Sequence, residues 1–354
     1  MYLFGITSLL PWNFFIQAND YWMYRFRNVS APFDPTTEDK THLQAIFSSY
    51  LAIASKVPYV IFLLVNAYIS NKLQPSKRIQ WPLMAMIILF LFTTLIVFVD
   101  TDSSQTTFFA VTITIVIAIN AMCGFVQGGG TGIAGSLPKK YMGYNVNGMA
   151  LGGMLASVAQ ILSLLGNTKP EHSAFFYFTT ATVFLCITFV FFRLTLRSEL
   201  YNFYMSKQTS MMKKKDATTE DRKKASNWEI FKQIWVYAIS IVFVFWVSLA
   251  VLPAVVVLVV STSTEHTIWT AIKMQVHYFT SNHFTICIYS SPHALQRTSP
   301  ISSTGGYLCT IVLTQGPKQV KEEHHELAGS QLALFLGIGL MLGSVTSYGL
   351  VVLL

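Results

Sequence analysis

The chain has 354 residues, 53% of them hydrophobic and only 11% charged, with a mean hydropathy of +0.49. A soluble domain of this composition would have nowhere to put its apolar surface, so the chain reads as an all-α polytopic membrane protein. The formal net charge of +8 lies in short loops between apolar runs, the pattern that orients membrane proteins, which excludes nucleic acid and leaves the lipid bilayer as the partner.

The first apolar run ends near Ile16, short against the roughly 20 residues of a span, and reads as a helix missing its first turn. A signal peptide is disfavoured, because its apolar region would contain Pro11-Trp12-Asn13 and no small-residue cleavage site follows. The stretch Leu9-Leu10-Pro11-Trp12-Asn13-Phe14-Phe15 sets a proline, an indole and a carboxamide inside an apolar helix. Pro11 frees a carbonyl and kinks the rod, and Asn13 carries hydrogen-bonding groups that lipid cannot meet, so both favour protein or a wet cavity. A packing kink with Trp12 near an interface is the plainer alternative.

Arg25 to Thr41 is a polar loop holding Asn28-Val29-Ser30, a glycosylation acceptor if the loop faces the lumen or exterior. The second span, Leu43 to Ile69, is interrupted by Lys56 and Pro58, and Lys72, Lys77 and Arg78 follow it. The third covers Trp81 to Val99. The fourth, Phe108 to Val126, runs on through the glycine-rich stretch Gln127 to Gly135 and closes at Lys139 and Lys140. A fifth span, Asn145 to Leu165, opens with Gly148 and Gly152, which share one helix face and let a neighbouring backbone approach closely. Ala174 to Leu194 is the sixth. The most basic loop, with Arg193, Arg197, Lys207, Lys213 to Lys215 and Arg222 to Lys224, leads into a seventh span, Ile230 to Val260, with Pro253 inside it.

Loops after spans two, four and six carry 3, 2 and 9 Lys and Arg, against 3, 0 and 1 after spans one, three and five. The first set is expected in the cytoplasm, which puts Asn28 outside, in agreement with its glycosylation triplet. The four cysteines, at 123, 186, 287 and 309, form no CxxC pair. His266, His277, His283 and His293 match no metal-site spacing, and His324-His325-Glu326 is not HExxH, so no metal, cofactor or catalytic residue is expected.

Leu9 to Phe15, Pro58 with Asn66, Ile119-Asn120 through Gln127-Gly128 to Gly135-Ser136-Leu137-Pro138, Ala156-Ser157-Val158-Ala159 and Pro253-Ala254-Val255 together resemble the equilibrative nucleoside transporter family. The likeness covers roughly Leu3 to Val260 and resumes at about Ser303 to Leu354; Phe15 to Asn28 looks most like the intracellular, lysosomal-type member. The resemblance implies an MFS-like helical bundle of eleven helices, six and five around a central cavity. By the same resemblance it moves nucleosides, and sometimes nucleobases, down their gradient, in the plasma membrane or a lysosomal or endosomal membrane. It implies a cavity lined by Leu9, Trp12, Asn13, Ile16, Lys56, Tyr59, Met149 and Leu252. An indole such as Trp12 can stack on a base while amides meet its polar edges.

Three departures stand against that pattern. Met149 replaces a base-binding glutamine with a thioether, a weak acceptor and no donor. Lys56 replaces an uncharged residue, and an ammonium at this depth is a functional-site candidate, with snorkelling or a neutral amine as the alternative. The family's eighth helix, with an aspartate and an arginine four residues apart that grip the ribose, has no counterpart: residues 261–302 are rich in Ser, Thr and His, lack a spanning run and show no family likeness.

The expected plan is a six-helix bundle over 1–197, a basic cytoplasmic loop over 198–228, a seventh helix at 229–260, a divergent insert at 261–302, and at 303–354 the remnant of a tenth helix with the last span. That is an incomplete bundle of about eight clear transmembrane helices. Seven spans leave Ser261 outside whereas Lys318 and Lys321 belong inside, so one more crossing is required; Ile268 to Tyr289 and Ile301 to Gln315 are the candidates, both poor. The chain therefore reads as an internally deleted or alternatively spliced member: either a nucleoside carrier, or a transport-incompetent protein that is retained or pairs with an intact copy as a homo-oligomer.

Overall fold

The computed structural model describes residues 1–30, 41–70, 73–165, 169–207, 227–258 and 300–353, and every regular element among them is helical. In chain order these are α1 (Tyr2–Gln17), α2 (Asn19–Arg25), α3 (His42–Ile69), α4 (Pro75–Ile96), α5 (Gln105–Ser136), α6 (Lys139–Leu165), α7 (Pro170–Thr195), α8 (Asn227–Leu258), α9 (Pro300–Gln315) and α10 (His325–Leu353). A further helical stretch lies at 199–207.

The helices begin earlier than their apolar runs because the starts are set by caps. Thr41 and Gln44 form a reciprocal capping box: Thr41 Oγ1 accepts from the Gln44 N–H at 3.2 Å, and Gln44 Oε1 accepts from the Thr41 N–H at 2.8 Å. Pro75 and Pro170 each occupy the first helical turn, where a missing N–H costs nothing. Among the described residues six helices, α3, α4, α5, α7, α8 and α10, are long and apolar enough to cross a membrane. The other two expected spans differ: α1 has only 16 residues, and α6 is diluted by Asn145, Asn147 and its glycines. Large apolar side chains such as Ile61, Ile88, Leu95 and Phe191 are exposed on the outer surface, as contact with lipid requires.

α1 packs chiefly on α6, and also on α5 and α7; α5 packs on α3 and α4, and α4 on α7. α8 and α10 form the other extensive helix pair, with α9 against α8, and α10 also lies along α3 and α5. Gly148 and Gly152 face α1. A Cβ on Gly148 would run into the carbonyl of Tyr2, one on Gly152 would stand 2.9 Å from the Ile6 oxygen, and Gly5 of α1 answers against the Asn145 carbonyl. The backbones therefore touch without side chains between them, which is how helices gain dispersion energy in hydrocarbon.

Polar contacts gather at two ends. At one, Arg27 pairs with Asp102 at 2.7 Å, Arg25 with Glu171 at 3.2 Å, and Gln105 Nε2 donates to the carbonyls of Arg25 and Arg27. At the other, Arg78 pairs with Glu326, Lys139 Nζ donates to Gln315 at 2.9 Å, and Lys207 pairs with Glu322 at 2.7 Å. Arg78, Lys139, Lys207 and Lys318 thus gather at one end of the molecule, which we call the basic end. Of the two candidate crossings, Ile301 to Gln315 is helical in α9 and ends at this basic end, although 16 residues reach only about 24 Å. Ile268 to Tyr289 and the four histidines from His266 to His293 lie outside the described residues.

Gly148→Ala is expected to force α1 off α6 and cost about 1–3 kcal/mol, read as a fall in Tm of the detergent-solubilised chain. Gly143→Ala on the same helix meets open space and is expected to leave Tm unchanged or raised.

Candidate functional site

Leu9, Trp12, Asn13 and Ile16 recur at helical spacing along one stripe of α1. This stripe is the less covered one: Leu9, Trp12 and Asn13 are half-buried and Ile16 is 37% exposed, while Leu10, Phe14 and Phe15 are buried against the core. The stripe does not face outward at Trp12. Lys56, midway along the 28 residues of α3, sets its Nζ 4.4 Å from the Trp12 ring centroid. An ammonium over an indole face is held by the ring quadrupole, more strongly where water is scarce. Among the described residues Lys56 makes no ion pair.

Tyr59, one turn on from Lys56, is buried, and its hydroxyl has no hydrogen-bond partner among the described residues. Its ring lies against Gly337 of α10, where a Cβ would stand 3.2 Å from Cε1. α3 thus offers a cation to α1 and a phenol to the last helix. Met149 is buried on α6, and its sulfur accepts a long hydrogen bond, 3.7 Å, from Gln127 Nε2 of α5. The carboxamide missing at 149 is therefore present across the α5–α6 contact, with Gln127 Oε1 still unmatched among the described residues. In the sequence Gln127 reads as the start of a glycine-rich stretch and as part of the family-like run from Ile119, and its carboxamide in that apolar setting is the signal for a polar role. Leu252 lies in α8, with its side chain outside the described residues. Asn28 stands in an exposed turn, its Oδ1 accepting from the Ser30 N–H at 3.0 Å.

A second cluster, not singled out from sequence, closes the basic end. Arg78 of α4 donates to the Oδ1 of Asn66 at 3.1 Å and to the Glu326 carboxylate of α10, both charged groups being buried. Ser330, one turn further along α10, donates to the Gly128 carbonyl of α5 at 3.1 Å. Beside them, burial first and the Glu326 charge next push the Tyr201 hydroxyl up to about 12. Lys318 Nζ donates at 3.2 Å to the carbonyls of Gly135 and Leu137, which end α5, so a cation meets the negative end of that helix. Burial, and then the neighbouring Lys139, lower the Lys318 pKa against the opposing pull of Glu322. The His325 ring bridges Lys318 Nζ at 3.3 Å and the Val320 carbonyl at 3.1 Å, an arrangement that suits the neutral imidazole. Among the described residues no three metal-binding side chains come together.

The scaffold matches known transporters. The human organic anion transporter MFSD10 superposes with a TM-score of 0.57 at 11% identity, covering 99% of this chain and 92% of that one. The proton:xylose symporter XylE gives 0.56 at 10%, covering 98% and 88%. These likenesses concern the fold alone. In sequence, the chain is 26% identical over 435 aligned positions to Equilibrative nucleoside transporter 1 of Homo sapiens, covering 98% of this chain and 95% of the relative. It is 24% identical over 405 positions to Equilibrative nucleoside transporter 3 of Rattus norvegicus, covering 96% and 85%. The family described as Nucleoside transporter matches residues 112–287 and 297–352. That first block reaches into 261–302, where the sequence alone showed no likeness, so only 288–296 fall between the blocks. Hydropathy was blind there because Lys273, His277 and His283 break every apolar run. With well over half of its length in the two matched blocks, the chain belongs to the nucleoside transporter family, on a helical fold of the major facilitator type.

Proposed function

We propose that the chain carries nucleosides, and some nucleobases, down their gradient across a plasma, lysosomal or endosomal membrane, by alternating access around a site between α1 and α3. The observation that carries this reading is the Trp12–Lys56 pair on the less covered stripe of α1. A base entering there has an indole to stack on, the Asn13 amide beside it on the same stripe, and the Lys56 ammonium as a donor to ring carbonyls. Gln127 and Tyr59 hold polar atoms unmatched among the described residues that a ribose or base edge could satisfy. Leu9, Ile16, Met149 and Leu252 supply the apolar remainder of the proposed lining. Arg78 and Glu326 act as the latch at the basic end, since they join α4 to the last helix and must part for that end to open. No catalytic step or cofactor enters the cycle.

A second reading is that the chain folds but does not transport, and is retained or pairs with an intact copy. The alignment to the human relative favours it. Its 435 positions include about 347 residues of this chain, 98% of 354, and so leave about 88 positions where the relative alone has a residue. The expected ribose-gripping aspartate and arginine are absent from the sequence.

Uptake of radiolabelled uridine or adenosine by the purified chain in liposomes separates the two. A carrier gives uptake above empty liposomes, reduced about tenfold by Trp12→Ala through loss of the stacking face. No uptake from a correctly inserted chain leaves the second reading. Arg78→Leu is expected to strand the Glu326 carboxylate and cost about 3–5 kcal/mol, measured as a lower Tm, whereas Arg78→Leu with Glu326→Leu recovers most of the loss. Endoglycosidase treatment of the chain from eukaryotic cells is expected to increase its mobility, and Asn28→Gln to abolish that shift; an unmodified wild type counts against the orientation.

A further inference from the structure

We propose that the cleft between α3 and α8 seats one anionic phospholipid of the cytoplasmic leaflet, with an acyl chain in the cleft and the headgroup at Lys232. The cleft measures ≈ 620 Å³, in the range of built small-molecule sites. α3 and α8 each pack on α10 with little contact between themselves, and the space left between them is this cleft. Leu64 and Tyr68 of α3 form one wall, Trp228 and Phe231 of α8 the other, and Phe335 of α10 the floor. Phe231 stacks on both Trp228 and Phe335, with centroids 5.3 Å apart in each case, so a continuous aromatic surface crosses from α8 to α10.

Depth and charge identify the occupant. The lining residues come from the last turns of α3 and the first turns of α8 and α10, all at the basic end of the molecule. Lys232 is exposed one turn along α8 from the lining residue Trp228, its Nζ 5.6 Å from that ring centroid. Glu229 is the acid beside it, but residues 208–226, which lead into α8, hold six Lys or Arg against three Asp or Glu. That balance favours an anionic headgroup over a zwitterionic one, by about 1 kcal/mol for each basic residue near the surface. Because the cleft exists only while α3 and α8 stand at this separation, a seated lipid binds this arrangement in preference to one that closes or splits it.

The test uses the full chain in a mild detergent, incubated with phosphatidylglycerol or phosphatidylcholine and read by native mass spectrometry. One phosphatidylglycerol per chain is expected to be retained about tenfold more than phosphatidylcholine. Leu64→Trp, at a position 56% exposed, fills the cleft and is expected to remove retention; Lys232→Glu, with Lys232→Ala as the milder variant, removes the preference. Equal retention of the two lipids by the wild type overturns the proposal, as does phosphatidylglycerol retention unchanged in Leu64→Trp. A wild-type chain that retains neither lipid also overturns it.

Discussion

Close backbone contact at glycine is the constraint on which the rest of this structure depends. Hydrocarbon gives helices no solvent to escape, so association has to come from dispersion and interhelical hydrogen bonds, and both require short distances. Several contacts among the described residues are built this way, three of them central. Gly5, Gly148 and Gly152 join α1 to α6; Gly132 and Gly329 let α5 and α10 meet, with Ser330 Oγ and the Thr131 carbonyl where Cβ atoms would stand; Gly339 and Gly343 fit against the Val242 and Phe245 carbonyls of α8. The first contact sets the position of Trp12 and Met149. The second brings Glu326 to Arg78.

Once helices are this close, every polar side chain between them has to find a partner. Thr7 of α1 does so with Thr188 of α7 at 2.8 Å, and Ser330 with the Gly128 carbonyl. The Arg78–Glu326 pair is the expensive case, because desolvating two charges costs several kcal/mol each and is recovered only with additional hydrogen bonds. Asn66 supplies one to Arg78. Such a pair contributes little net stability while intact but penalises any arrangement that leaves one charge alone, which suits a contact that is made in one state and solvated in another. Tyr59, Gln127 and Lys56 break the pattern among the described residues: the first two keep a polar atom unmatched, and Lys56 has a ring face in place of a counter-ion. Their common location on the inward faces of α3 and α5 is the physical reason to place a solute there.

Much of this was legible in the sequence, because hydropathy and charge report directly on a membrane. The apolar runs located the helices, six of which are long and apolar enough to cross a membrane, and the largest errors fell at helix starts such as those at Thr41, Pro75 and Pro170, which act by capping and not by apolarity. The Gly148 and Gly152 spacing announced a close neighbour, although only three dimensions identify it as α1. What could not be read were pairings across long separations in the chain. Arg78 and Glu326 lie 248 residues apart, and in sequence one looked like a loop cation and the other like the end of a histidine pair. Gln127 looked like part of a glycine run until α6 placed the Met149 sulfur beside it.

A solute between α1 and α3 is held by only a few weak interactions. Stacking on one indole contributes about 0.5–1.5 kcal/mol beyond area burial, and a cation over a ring or a donor to a carbonyl adds a similar amount. Against the 4.1 kcal/mol that corresponds to millimolar binding, such a half-site holds a solute weakly. Weak binding is no obstacle to carriage, since a facilitative carrier needs its solute to leave as readily as it arrives. What carriage does require is that both helix groups touch the solute, because a ligand shifts an equilibrium only by its difference in affinity for the two states. α10 meets that requirement in part: it carries Gly337 against Tyr59 and Glu326 against Arg78, so movement of the last helix is felt at both the proposed site and the latch. Transport therefore turns on how much of the solute's far side α8 and α10 reach, since α10 is the helix that α3 and α5 meet and α8 packs on it.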